Sequence, residues 1–382
     1  LEETLKRIPT IEPKGLRGGT IYYDGQFDDA RLAINMAQTV VDLGGTVANY
    51  MKVVGLSKSN NMVQGVVVQD QEGGKDYTLS ANVVINATGV FSDAVRKMDD
   101  AEAKSMVQPS QGVHIVLDQS FLPGDSAIMV PQTDDGRVLF AIPWHKRIVV
   151  GTTDTPLDKP ELEPRAKEEE LDFLLEHSQR YLTKDPTADD VLSTFAGLRP
   201  LVRNPEAENT AEISRDHTIQ ISRSGLVTIA GGKWTTYRKM GEDVIDQAAT
   251  IAGLPERQSK TKDLPIHGWH AYSSKFGDLD YFGADAPAVK TLMKEQKGWE
   301  ELLHPNLPYQ KGEVIWAVRE EMARTVEDVL SRRTRALLLD AKASMKIAAE
   351  VAGMMAKELG QDADWEKDQL DTYLKLAQGY LV

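Results

Sequence analysis

The chain has 382 residues, no cysteine and a formal charge of -14, from 58 acidic against 44 basic side chains. The missing thiols exclude disulfides, thiolate metal sites and cysteine nucleophiles, and the acidic balance speaks against a nucleic-acid binder, which needs a basic surface. With 41% apolar residues the chain can bury large cores, its length suits two or three domains, and no apolar run nears the roughly 18 residues of a membrane span.

In chain order, Asp28 and Asp29 precede Leu32, Met36, Val40 and Leu43, a helical spacing that ends at Gly44 and Gly45, so a capped helix is expected there. "TVANYMKVVGLSK" reads as a strand, and "MVQGVVVQD" with "KDYTLS" as a hairpin turning at Glu72, Gly73 and Gly74. "NVVINATG" is a short apolar strand running into a glycine, and "FSDAVRKM" resumes helical character. This order is part of an α/β nucleotide-binding domain.

From Gln111 to Thr155 alternating strands take over, "GVHIVLD", "AIMVPQ", "RVLFAIPW" and "RIVVGTTD", with turns at "TDDGR" and "WHKR". An antiparallel sheet is expected. "PRAKEEELDFLLEHSQRYL" follows as an amphipathic helix with an apolar stripe of Leu171, Leu174, Leu175, Tyr181 and Leu182 and a solvated acidic face. After "FAGLRPLV" comes the hairpin "HTIQISRSGLVTIAGG", then a helix from about Thr235 to Ala252. Residues 255–310 read as a connecting region over a surface, and 311–382 as a separate helical domain with "TVED" as a capping box and Gly360 as a helix stop. Arg332, Arg333, Arg335, Lys342 and Lys346 read as a solvated helix face with internal ion pairs.

Four stretches carry chemistry. In "VINATG", Thr88 and Gly89 end a buried strand, where α/β sheets receive a cofactor; an ordinary strand-to-helix turn would use the same residues. Arg199, between Gly197 and Pro200, has a stiff backbone that suits bidentate recognition of phosphate or carboxylate, or a structural ion pair. His114, in an alternating strand, reads as a packed histidine or as a neutral proton acceptor. "GGKWTT" bares the backbone at Gly231 and Gly232, presents Lys233, and starts a helix at Thr235 and Thr236 whose N-terminus favours negative charge. No GxGxxG fingerprint occurs in these residues.

Taken together, "YYDGQFDDARL", "VINATGVFSDAVRKMD", "GVHIVLD", "IPWHKRIVVGTTDTP", "GLRPL", "GGKWTTYRKMGEDVID", "LPIHG" and "EEMARTVEDVLSRRTRALLLDA" closely resemble the FAD-dependent glycerol-3-phosphate dehydrogenases and their glycerophosphate oxidase relatives. The resemblance covers nearly the whole chain. It implies an α/β glutathione-reductase-like, D-amino-acid-oxidase-like FAD-binding fold, incomplete here. The expected parts are residues 1–110 and 231–254 in the FAD domain, an antiparallel (α+β) substrate sheet over 111–230, and a C-terminal α-helical domain. The implied reaction takes sn-glycerol 3-phosphate to dihydroxyacetone phosphate, with a hydride leaving C2 for flavin N5 and electrons passing to a membrane quinone, or to oxygen in the oxidases. Position by position, Arg199 matches the substrate-phosphate arginine and Lys233 the lysine that reaches flavin and substrate. His114 matches a substrate contact or assisting base. Thr88 and Gly89 match the cofactor-contacting ATG, and Gly231, Gly232, Trp234, Thr235 and Thr236 the loop beside the isoalloxazine. Val53 corresponds to the backbone position at the adenine. The resemblance also implies peripheral attachment at the cytoplasmic face of a cell membrane and admits a homodimer. Without the family's glycine-rich fingerprint, the expectation is that this polypeptide binds FAD weakly or not at all and has no turnover.

Overall fold

A computed structural model describes residues 1–131, 133–134, 136–203 and 216–382. Gln132 and Asp135, which belong to the strand and turn expected at "AIMVPQ" and "TDDGR", lie outside them.

The chain enters through α1 (Glu2–Arg7) and an extended stretch, then forms α2 (Asp29–Asp42). The Asp28 carboxylate accepts from the Arg31 N–H and caps α2, as its sequence implies. Next, β1 (Met51–Ser59), β2 (Met62–Asp70) and β3 (Asp76–Ser80) form an antiparallel meander in that order. Asn60 and Asn61, both at positive φ, make the two-residue turn from β1 to β2. The strand expected from residue 46 starts only at Met51, because Tyr50 at φ 55° breaks the extension. β4 (Ile85–Asn86) is shorter than its apolar run, and α3 (Ser92–Asp99) follows one 3-10 turn later.

β5 (Val107–Asp118), β6 (Ile128–Val130), β7 (Leu139–Trp144), β8 (Arg147–Gly151), β9 (Thr155–Pro156) and β10 (Ser193–Val202) build the antiparallel sheet, ordered β10-β5-β8-β7-β6 with β9 also on β5. Its apolar face (Val113, Ile115, Leu117, Ile148 and Val150) packs on Leu174 and Leu182 at helix α4 (Glu168–Tyr181), with Leu171, Leu175 and Tyr181 at the rim. The expected stripe is therefore the buried one. The solvated acidic face needs a correction: Glu170 is only 3% exposed and is bonded under the sheet.

β11 (His217–Ile221) and β12 (Val227–Gly231) form the expected hairpin, and β12 also pairs parallel with β4. α5 (Tyr237–Ile251) follows one 3-10 turn after β12. Residues 255–310 are not all a surface connector, since Leu279 and Phe282 together with Val289 and Leu292 of α6 (Ala286–Met293) share a core with Ile315 and Trp316 of α7 (Lys311–Glu320). The remaining helices are a π-helical turn over Asp328–Arg333, α8 (Ala336–Leu339), α9 (Ala341–Leu359) and α10 (Ala363–Gln378). Thr325 and Asp328 cap each other's N–H groups at 3.1 Å, and Gly360 ends α9 at φ 67°, both as expected.

Polar bonds fix the helical domain on the first. Arg31 forms a buried ion pair with Glu321, Tyr50 donates to Asp328 at 2.7 Å, Arg324 holds Glu72 with two 2.7 Å bonds, and His267 sits between Asp42 at 2.7 Å and Asp285 at 2.8 Å. Arg333 and Arg335 belong to this interface and are largely buried, against expectation, whereas Lys342 and Lys346 are exposed and Arg332 pairs with Glu327 and Asp328, as expected. The charges are retained inside because each guanidinium meets a carboxylate.

Candidate active site

β4 and β12 are parallel, so their carboxyl ends open on the same edge. At that edge β4 runs into Thr88 and Gly89, and β12 into Gly231, Gly232 and Lys233. A crevice outside the carboxyl ends of parallel strands is where α/β sheets bind ligands. Asn86 ties the pair together: its amide donates to Thr228 Oγ1 at 3.3 Å and to the Ser92 carbonyl at 2.9 Å, while its carbonyl oxygen accepts from the Thr88 hydroxyl at 2.7 Å.

The glycines on this edge differ. Gly89 has φ +57°, and a Cβ there would meet nothing within 4 Å. A Cβ at Gly231 would lie 2.5 Å from the Asp216 carbonyl, and one at Gly232 2.4 Å from Met240 Sδ. The first position is open towards whatever lies outside; the other two are closed by the protein's own chain. Past them, Lys233 N donates to Thr236 Oγ1 at 3.2 Å, and the turn Trp234–Thr236 leads into α5. The leading N–H groups of such a turn lack intrahelical acceptors, so they favour negative charge nearby. The Trp234 indole reaches back to the Asp29 carbonyl at 3.3 Å.

The second constellation lies across β10, β5 and β8. Arg199 pairs in register with Ser110 and sends its guanidinium over Gly112, where a Cβ would lie 2.5 Å from Nη2. Nη1 donates to Asp154 at 3.3 Å, and Nη2 to Thr152 Oγ1 and the Thr153 carbonyl, both at 3.3 Å. Asp154 also accepts from Ser110 Oγ. His114 lies opposite Gly151, and a Cβ there would stand 2.1 Å from the imidazole Cδ2. The ring stacks on Phe195 with centroids 5.1 Å apart, and its Nδ1 is buried with no hydrogen-bond partner among the described residues. Burial, and secondarily the positive charge of Arg199, pull the His114 pKa down to about 4. The imidazole is therefore neutral at physiological pH.

Among the residues expected in the site, Arg199 and His114 are brought together on one sheet, and Thr88, Gly89, Gly231 and Gly232 on one edge. The two groups adjoin, since Gly231 packs against Val202 of β10, three residues beyond Arg199. Trp234, Thr235 and Thr236 follow on the exposed turn. Lys233 is exposed, and its ammonium has no ion-pair or hydrogen-bond partner among the described residues. Val53 lies apart in β1, paired with Val68 and half-buried. Sequence reasoning missed Gly112, Gly151, Thr152, Asp154 and Glu170. The signal was there for the two glycines, because a glycine inside a strand marks close approach of another group.

A parallel pair ending in glycine loops, beside an antiparallel sheet that carries a half-buried arginine and histidine, is the architecture of a flavin-dependent oxidoreductase. Residues 1–238 match the family described as FAD dependent oxidoreductase, and the chain belongs to it. Residues 259–367 match the C-terminal domain of alpha-glycerophosphate oxidase. The mitochondrial glycerol-3-phosphate dehydrogenase of Homo sapiens is 36% identical over 98% of this chain and 56% of its own length. A probable counterpart in Caenorhabditis elegans is also 36% identical, over 99% of this chain and 56% of its own length. The chain thus spans just over half the length of these relatives. Among solved structures, the glycerol-3-phosphate dehydrogenase from Bacillus halodurans complexed with FAD superimposes with a TM-score of 0.87 at 30% identity, covering 99% of this chain and 78% of that one. The mixed α/β fold with a C-terminal helical domain is accordingly that of the FAD-dependent family.

Proposed function

We propose that this chain carries the substrate site and one wall of the flavin site of a glycerol-3-phosphate dehydrogenase that oxidises sn-glycerol 3-phosphate to dihydroxyacetone phosphate and passes electrons to a membrane quinone. The observation that carries the reading is the placement of Arg199, beside a neutral His114, on a sheet that adjoins the glycine edge of β4 and β12.

FAD fits that edge. Gly89 leaves open space on its Cβ side, and Gly231 and Gly232 let the chain turn sharply without side chains. Thr88 and Gly89 would contact the cofactor, Gly231, Gly232, Trp234, Thr235 and Thr236 would lie beside the isoalloxazine, and Val53 would lie at the adenine. Bound there, FAD supplies the acceptor for the hydride that leaves C2 of the substrate.

The remaining work falls to this chain's own side chains. Arg199 offers a planar donor pair to the phosphate, with the Lys233 ammonium as a second positive group. The neutral His114 orients the C2 hydroxyl and accepts its proton. A phosphate dianion on Arg199 offsets the charge that depresses the imidazole, so substrate binding raises the basicity of the group that needs it. Among the described residues no helix is long and apolar enough to cross a membrane.

The test is titration of the protein with FAD, then anaerobic reduction of the bound flavin by glycerol 3-phosphate, with glycerol as control. Bleaching by the phosphate ester alone, followed by reoxidation with a quinone analogue, is the expected result. Equal reduction by glycerol, or none with saturated FAD, overturns the reading. Rapid peroxide formation in air with no quinone reduction would assign the oxidase reaction instead. The same titration tests the separate expectation that this polypeptide binds FAD weakly or not at all and has no turnover, which bleaching at saturating FAD would overturn.

A further inference from the structure

We propose that Glu170, on a helix outside the site and assigned no role, is a positioning residue that sets the direction of the Arg199 guanidinium and thereby the affinity for a phosphorylated substrate. The inference rests on the functional reading above.

The first helical turn of α4 places Glu170 beneath the sheet rather than in solvent. There its carboxylate accepts four hydrogen bonds: from Gln111 Nε2 at 2.8 Å, Thr153 Oγ1 at 2.9 Å, Thr155 Oγ1 at 2.6 Å and the Lys167 N–H at 3.0 Å. A buried carboxylate is retained at a cost in solvation unless its acceptor sites are filled. Here they are filled by the two segments that frame the substrate site. Gln111 stands next to Gly112, over which Arg199 passes, and Thr153 also accepts the Val113 N–H at 3.0 Å. All three acceptors of the guanidinium named above, Thr152 Oγ1, the Thr153 carbonyl and Asp154 Oδ1, belong to the stretch that Glu170 pins from both sides. Without the carboxylate, the Thr152–Thr155 stretch keeps its β9 pairing and its Val113 and Ser110 bonds to β5 but loses the side-chain bonds at Thr153 and Thr155, and the guanidinium loses part of the frame that aims it.

The effect of such a residue is on substrate capture, not on the flavin. In FAD-loaded protein, E170Q should raise the KM and the calorimetric Kd for glycerol 3-phosphate about tenfold, leave kcat within about twofold, and leave the flavin spectrum unchanged. E170D should recover part of the loss. E169Q, at the exposed neighbouring carboxylate, is the control. Should E170Q fold poorly, Thr155→Val removes one of the four bonds and should raise KM in the same direction by a smaller factor. An unchanged KM in both variants, or a fall in kcat alone, overturns the inference while the functional reading stands. Wild-type protein that does not prefer the phosphate ester over glycerol overturns that reading, and this inference with it.

Discussion

The substrate sheet and the glycine edge are built on opposite plans. On the sheet, the arginine is aimed by neighbours: Arg199 by Thr152, Thr153 and Asp154, and that stretch by Glu170. On the edge, Gly89 and the turn after Gly232 present mainly backbone, and Lys233 reaches no described partner. A charged, compact substrate needs side chains fixed before it arrives, because an ordered guanidinium loses little freedom on binding. A flat ring lying against backbone needs mostly the absence of side chains.

The largest effect should come from removing the centre of the sheet. Arg199→Ala should lower kcat/KM for glycerol 3-phosphate by about a thousandfold, the equivalent of two charge-assisted hydrogen bonds, with flavin absorbance unchanged. Similar kinetics in the variant would break the contrast between the two regions.

The edge separates stability from binding. Gly231→Ala forces a Cβ to 2.5 Å from a backbone oxygen and should lower Tm markedly. Gly89→Ala carries only the strain of a positive φ, about 1–2 kcal/mol, because nothing stands where its methyl would go. If the open space is the cofactor's, Gly89→Ala should weaken FAD binding by more than its Tm shift explains, as read by flavin fluorescence titration.

A smaller effect concerns pH. The folded-state pKa of His114 is depressed to about 4 from an ordinary 6.5, so the unfolded chain binds the extra proton first as pH falls. The contribution is fully present above pH 6.5 and is lost progressively down to about pH 4, on the order of 3 kcal/mol in all. His114→Phe should flatten the slope of Tm against pH in that window. The smallest expected shift is substrate-induced: saturation with glycerol 3-phosphate should raise the His114 pKa by about one unit, followed by NMR, as the phosphate screens Arg199. No upward movement would separate His114 from the phosphate site.

Much of the fold was legible in local pattern. Asp28 before a helical repeat, Gly73 and Gly74 at a hairpin turn, and Gly231 with Gly232 after an apolar strand each describe a constraint between neighbours, and the structure obeys them. The failures have a shared origin. Glu170 sits among acidic residues that pattern alone assigns to water, and Arg333 and Arg335 in a basic run assigned likewise. Glu170 and Arg335 are inside because partners distant in sequence, Gln111 and Asp29, fill their hydrogen bonds, and Arg333 because Asp328 and the Glu321 carbonyl fold back on it. The stretch 255–310 looked like a connector because Gly and Pro obscured the apolar residues that α6 buries.

By itself, the sequence determined most of the elements, the glycine turns and the candidate site residues, since these follow from backbone sterics and from chemistry carried within a few residues. Only the tertiary structure decided that β4 and β12 open on one edge, that Gly112 and Gly151 make room for Arg199 and His114, and that a helix carboxylate aims the arginine. These depend on strand register and on solvation inside a packed interior, and both are set by residues far apart in the chain.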